Sequence, residues 1–355
     1  MLNKFHHFLF NRFRNNEIKL HELSYLFWEC TLKCNLNCLH CGSDCTANSR
    51  FKDIPFEDFL SAIIPLSNIY HRNSITVVIT GGEPLLRQDL PEYGKELRKH
   101  FFKWGIVTNG YMYDAEIHAK LLSAGMGSIT LSLDGLEENH NWLRNNVNSF
   151  SRAMDALKLI VFSNRLCYDI VTCVNKRNIK ELENIKELLI ENKVKNWRLF
   201  TIAPIGRAAN NLEMQLSNEE LIFLMNFIVE TRKEGRINIY FSCESYVGKY
   251  EGKVRDSYFF CRAGVNIASV LIDGSISACP NINRKFVQGN IYNNDFYDVW
   301  NNKFELMRNR KWAKKGICKE CKEFKNCNGG AMHLWDAELK SNQACIFRGI
   351  NKYNF

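Results

Sequence analysis

The chain has 355 residues, 46% of them apolar, and a formal net charge of +9 at neutral pH. This length and apolar content exclude a disordered or fibrous chain and suit one large domain plus a smaller one. No run of about 18 apolar residues occurs, which excludes a membrane-spanning helix, and the modest positive charge, spread along the chain, reads as a solvated surface rather than a nucleic-acid partner.

Residues 1–22 mix Phe5, Phe8, Phe10 and Phe13 with Lys4, Arg12, Arg14 and Lys19. A membrane-surface or docking helix is one reading. The short length and imperfect periodicity favour an N-terminal extension packed as a lid on the first strand. No signal-peptide stretch opens the chain, so a cytoplasmic location is expected. Fourteen cysteines then argue for metal or redox chemistry over disulfides.

Residues 23–28 form an apolar strand that leads into Cys34-Asn-Leu-Asn-Cys38-Leu-His-Cys41. Three thiols at spacings of four and three on one loop can wrap a corner of a cubic iron–sulfur cluster, for which thiolates are the soft ligands needed. Three cysteines leave one iron of a 4Fe–4S cube open. A tetrahedral zinc site with His40 or Cys45 as fourth ligand is the alternative, and three unrelated buried thiols a further one. Cys30 and Cys45 flank the loop as structural thiols.

A helix is expected over 55–70, then a β-branched strand over 74–80 that runs into Gly81-Gly82-Glu83-Pro84. The two glycines would let a ligand approach the backbone, and Glu83 can accept hydrogen bonds from an ammonium group. Helices over 90–100, 114–124, 150–162 and 179–191 alternate with strands over 102–107, 128–133, 168–174 and 197–203. That alternation predicts an α/β fold, a parallel sheet of six units in an open, partial (β/α)6 TIM-like barrel. Functional residues then gather at strand carboxyl ends, where Glu83, Asn109, Asp134, Asn175 and Pro204 fall. Cys167 and Cys173 read as core thiols, and a helix over 221–232 closes the barrel. Composition shifts near residue 240, giving expected divisions of 1–22, 23–235 and 236–355.

The last division carries Cys261, a strand over 265–272, an Asp273-Gly274 hairpin turn, Cys279, a helix over 296–308, and Cys318-x2-Cys321-x5-Cys327 followed by Cys345. Those last four thiols form a complete set that suits structural zinc as well as iron.

Together these motifs resemble the radical S-adenosylmethionine (SAM) superfamily with a C-terminal SPASM extension, over roughly residues 23–348. The resemblance implies a 4Fe–4S cluster on Cys34, Cys38 and Cys41 whose open iron chelates S-adenosylmethionine. Reductive cleavage then yields a 5′-deoxyadenosyl radical that takes hydrogen from substrate. It implies that Gly81, Gly82, Glu83 and Pro84 hold the methionine amine. Asn109, Ser132 and Asp134 would contact the ribose and methionine parts. Arg144, which follows with His140, would pair with the methionine carboxylate, a bidentate contact suited to a guanidinium. The Pro204–Arg207 turn, residues 289–291 and Trp300 match the same group. One auxiliary 4Fe–4S cluster is implied on Cys318, Cys321, Cys327 and Cys345. A second is left open, since relatives carry a cysteine where Ala331 stands and this site keeps Cys261 and Cys279, with Cys243 as a third candidate.

Most SPASM members modify peptides or proteins, so the implied activity is oxidative modification of a peptide or small protein. An electron donor such as flavodoxin or ferredoxin is implied too. A separate leader-binding protein would complete the set, because the N-terminal segment is shorter than a leader-binding domain. Haem-type cofactor synthesis is the alternative. Anaerobic sulfatase maturation fits less well, as Pro280 and Asn281 stand where those enzymes carry an aspartate. A non-catalytic electron-transfer protein is the reading from another class. No catalytic acid or base is assigned.

Overall fold

The computed structural model describes residues 2–242, 244–336, 338 and 340–351. Its centre is one sheet. β1 (Tyr25–Thr31), β2 (Thr76–Gly81), β3 (Lys103–Thr108), β4 (Ser128–Ser132), β5 (Cys167–Val174), β6 (Asn196–Thr201) and β7 (Asn238–Phe241) run parallel in that spatial order. β8 (Ile267–Val270) adds to the outer side of β1, also parallel, with Leu26 opposite Ala268. β9 (Ser275–Ser277) and β10 (Gly289–Asn290) extend that edge antiparallel. The order is linear, with β7 and β10 as its two ends, so the curved sheet is an open barrel.

Strands covered on both sides read as apolar runs. Trp28, Trp104 and Trp197, from β1, β3 and β6, are among the largest fully buried side chains. The Trp28 ring stacks on Phe59 at 4.5 Å between centroids, which seats the first crossover helix. The helices supply their own punctuation. The expected helix over 55–70 is two pieces, Phe56–Ile63 and Leu66–Ile69, broken where Pro65 lacks an N–H. The helix Asn218–Glu234 opens with a Ser217/Glu220 capping box and ends on Gly235 in the left-handed region.

Several elements differ from the sequence expectation. β7 and β8 continue the barrel sheet past residue 235, because each pairs in register with a barrel strand. Residues 2–20 form a helix, α1 (Leu2–Leu20), that packs on the C-terminal cysteine loop, and its Glu17 pairs with Arg262 at 3.1 Å. Asn11 bonds Asn326 at 3.2 Å, and His7 stacks on Tyr258 at 4.4 Å. Cys167 is exposed rather than buried, since β5 begins there; Cys173 lies in the core as expected. The segment Glu137–Arg144, unassigned from sequence, is helical.

Candidate active site

The cysteine loop leaves β1 and is held by backbone bonds on three sides. Cys34 N donates to Thr46 O at 2.9 Å, Gly82 N to Thr31 O at 2.7 Å, and Glu83 N to Lys33 O at 2.9 Å. The two glycines serve this packing. A Cβ on Gly81 (φ 132°) would lie 2.0 Å from Thr31 O, and one on Gly82 2.0 Å from Lys33 O. The chain that closes on their Cα atoms is therefore the backbone that leads into the cysteine loop. Gly206 (φ 56°) plays the same part on the other side, with Cys41 O 2.3 Å from where its Cβ would be. Arg207 follows and grips the loop. Its Nε donates to Cys38 O at 2.7 Å and its Nη1 to Cys45 O at 2.8 Å and Asp44 Oδ1 at 2.9 Å.

Each of the three thiols faces one N–H donor. Asn109 Nδ2 lies 3.8 Å from Cys34 Sγ, Arg144 Nη1 3.7 Å from Cys38 Sγ, and Cys45 N 3.4 Å from Cys41 Sγ. N–H donors aimed at sulfur stabilise thiolates that ligate a metal or cluster, so this donor set fits an anionic iron–sulfur centre. Burial pushes Cys34 up to about 12 and raises Cys38, against the pull of Arg144. Cys41 moves down, chiefly through the hydrogen bond from Cys45. Such buried thiols ionise readily only when a cation binds them. The His40 ring, lowered to about 4 by burial, has Nδ1 buried without a partner among the described residues.

Glu83 sits beside this loop at the end of β2, fully enclosed. Its Oε1 accepts from Thr108 Oγ1 at 2.7 Å and Leu85 N at 3.2 Å, and its Oε2 from Asn109 N at 2.8 Å. Pro84 opens the turn Pro84–Leu86 that this carboxylate caps. Burial lifts Glu83 to about 6 even against those donors. Asn109 follows β3 directly and bridges to Asn35 Oδ1 at 2.9 Å. Ser132 ends β4, half-buried.

Asp134 and Arg144 are joined to each other as a buried ion pair. Arg144 Nε donates to Asp134 Oδ2 at 2.6 Å, and Asp134 Oδ1 accepts from Cys173 N at 2.8 Å. The reason is electrostatic: a guanidinium this deeply buried needs a carboxylate from the chain itself. Burial pushes Asp134 up, but Arg144 and the neighbouring histidines more than offset it and hold the group below its ordinary range. His140 is a satisfied core ring. Asp134 N donates to its Nδ1 at 3.0 Å, so Nε2 carries the proton and faces Ser149 Oγ at 3.0 Å. Asn175 turns back on its own loop, accepting from Arg177 N at 2.9 Å. Thr108, Asn35 and Arg207 were not read from sequence as site residues, and Cys45 only as an alternative zinc ligand. Arg207 carried a signal in the Pro204–Arg207 turn, and Thr108 one in its place before Asn109; Asn35 carried none.

The C-terminal thiols gather separately. Cys318, Cys321, Cys327 and Cys345 line one cavity with about 390 Å³ of atom-free space, part of it open to solvent. Tight turns bring them there: Cys321 N bonds Cys318 O at 3.3 Å, and Asn328, Gly329 and Gly330 follow Cys327 with positive φ. Four thiols around one cavity fit a cluster or a single metal ion equally in number. Burial raises Cys318 to about 11 and Cys327 to about 12. Ala331 is 1% exposed among Tyr246, Phe259, Leu334 and Phe347, so apolar packing stands at the position of the missing thiol. Cys261 borders both this cluster and the main core, where Cys279 also packs. Cys243 lies outside the described residues.

The profile of the radical SAM superfamily matches residues 28–189, and that of an iron–sulfur cluster-binding domain, SPASM, matches residues 261–322. An AdoMet-dependent heme synthase of Methanosarcina barkeri is 26% identical over 90% of this chain and 95% of its own length. The mycofactocin maturase MftC of Mycolicibacterium smegmatis is 28% identical over 86% and 77%. The solved structure of anSMEcpe with bound AdoMet shares the fold, with a TM-score of 0.71 at 19% identity over 94% of this chain and 93% of that one. The chain belongs to the radical SAM superfamily as an enzyme of the SPASM type, with S-adenosylmethionine and 4Fe–4S clusters as its cofactors.

Proposed function

We propose that the enzyme oxidatively modifies a peptide or small protein by hydrogen abstraction. Cys34, Cys38 and Cys41 would hold the radical-generating cluster, and Glu83 the methionine amine beside it. Cys318, Cys321, Cys327 and Cys345 would hold one auxiliary 4Fe–4S cluster in the C-terminal cysteine module. When bound, the cluster and S-adenosylmethionine supply reductive cleavage of a carbon–sulfur bond and removal of a hydrogen atom from substrate. The protein's part is placement. Arg207 fixes the loop carbonyls, Asn109 and Arg144 present N–H donors to two of the thiols, and Glu83 is preset as an acceptor by Thr108 and the Asn109 amide.

The observation that carries the substrate class is Glu244, past the end of β7. It is buried, accepts from Thr201 N at 2.9 Å, and forms no ion pair among the described residues. Burial lifts this carboxyl to about 7, and a partly ionised carboxyl outside any described ion pair, beside the end of β6, favours a neutral or cationic segment of polypeptide over a polyanion. The MftC relative, a maturase by name, agrees with this class. A reduced flavodoxin or ferredoxin would supply the electron, and a separate leader-binding protein could deliver the peptide.

Haem-type cofactor synthesis is the second reading, favoured by the AdoMet-dependent heme synthase relative. Tetrapyrroles of that class carry several carboxylates, which Glu244 disfavours. The test is anaerobic turnover of the reconstituted enzyme with small peptides encoded beside its gene, and separately with an iron porphyrin bearing propionates. A mass loss on a peptide, in step with 5′-deoxyadenosine release, supports the proposal; decarboxylation of the porphyrin instead overturns it.

A further inference from the structure

Two arginines beside the C-terminal cavity are buried without a carboxylate. Arg14, on α1, is 5% exposed, and Arg310, which opens the turn Arg310–Ala313, is 8% exposed. Among the described residues neither has an acidic side chain within ion-pair distance, whereas buried Arg144 pairs with Asp134 and buried Arg255 with Glu251 at 3.7 Å. Their partners are neutral. Arg14 Nη1 donates to Asn326 O at 2.8 Å and Nη2 to Lys325 O at 2.6 Å; Arg310 Nη2 donates to Gly330 O at 3.0 Å. These carbonyls lie on both sides of Cys327. Cys261, Cys327 and Cys318 lie close enough to act electrostatically on Arg310, and Cys327 also acts on Arg14. Among the described residues the Nε of each has no partner.

Removing a guanidinium from water with no counter-charge carries a large penalty. Two of them converging on one thiol loop means that the folded protein holds an anion there. Four thiolates around a metal centre are that anion.

We infer that Arg14 and Arg310 are the built-in counterions of the centre held by Cys318, Cys321, Cys327 and Cys345, and that they raise its reduction potential. The inference rests on the reading of that cavity as the auxiliary cluster site. A nearby cation stabilises the more negative, reduced state, and net charge and hydrogen bonding to sulfur are levers on cluster potential. The N-terminal helix α1 thereby carries half of the compensating charge across to the C-terminal module.

The test uses the full chain with Cys41→Ala, so that the C-terminal centre alone gives the reduced-cluster EPR signal. Iron per chain and the midpoint potential are measured for Arg14→Gln, Arg310→Gln, their double variant, and the two Lys replacements. The inference predicts a lower midpoint in each Gln variant, a larger shift in the double, and midpoints near the parent for Lys. An unchanged midpoint in the double variant with iron retained overturns it. Should Gln variants lose iron, the Lys variants must recover it, and equal loss in both overturns the charge role. Zinc without iron in the parent would instead overturn the cluster reading itself.

Discussion

Arg207 Nε donates to Cys38 O at 2.7 Å across 169 residues of sequence. With its bonds to Cys45 O and Asp44, this one side chain ties the last barrel turn to the cysteine loop. A lysine has one point charge and cannot span these acceptors in a fixed fork. Arg207→Lys is expected to destabilise the loop by about 2 kcal/mol and to lower iron bound at Cys34, Cys38 and Cys41, while iron at the C-terminal set stays. Iron counting in the Cys318→Ala background, where the loop centre alone remains, reads this. Full iron retention there would show that the clamp is dispensable.

Asp134 and Arg144 form a buried pair, and breaking one side should cost more than removing both. Asp134→Asn leaves an uncompensated buried guanidinium and is expected to cost about 3–5 kcal/mol. Asp134→Asn with Arg144→Met should recover most of it. Urea denaturation of the single and double variants measures the coupling; additive losses would mean that the two groups do not act as a pair.

Glu83, lifted to about 6 by burial, gives a pH dependence. Its raised folded value means that its stability contribution is complete below about 4.5 and falls as pH rises through about 6. Ligand binding runs the other way, since the ionised carboxylate is the better acceptor for an ammonium. Affinity for S-adenosylmethionine should weaken as pH falls through about 6, approaching about tenfold per unit. Glu83→Gln should bind weakly and show a flat profile. Equilibrium binding between pH 5 and 7.5 decides; a flat profile for the parent enzyme would remove Glu83 from the amine's contacts.

Gly82 has no room for a methyl group, with Lys33 O 2.0 Å from the position of its Cβ. Gly82→Ala must displace backbone rather than a side-chain tip, and a loss of at least about 3 kcal/mol is expected. A change in the urea midpoint below the equivalent of about 1 kcal/mol would contradict the close approach.

Much of this was legible in the sequence because it is local. Strand–helix alternation, the Asp273-Gly274 hairpin and the three loop cysteines are short-range patterns, and the structure keeps them. The partners of Arg144 were not legible. Its spacing from Asp134 says that they are neighbours, but only burial says that they must neutralise each other. The close approach of residues 31–33 to Gly81 and Gly82 was not legible either, because sequence cannot show which stretch of backbone lies against a glycine. α1 was expected on the first strand, and its bonds to Lys325 and Asn326 span more than 300 residues, a distance at which no periodicity carries information. One helix was expected over 55–70, and Pro65, passed over in that reading, splits it because proline has no N–H to continue the ladder.

The central claim is that the Cys34, Cys38 and Cys41 loop, and not the C-terminal thiols, drives cleavage of S-adenosylmethionine. The most direct measurement is 5′-deoxyadenosine released by anaerobically reconstituted, dithionite-reduced enzyme, compared with Cys41→Ala. The account predicts release by the parent enzyme and none above background by the variant, which should still hold its C-terminal iron. Equal release by both, or no release by a parent enzyme loaded with iron at both sites, would contradict it.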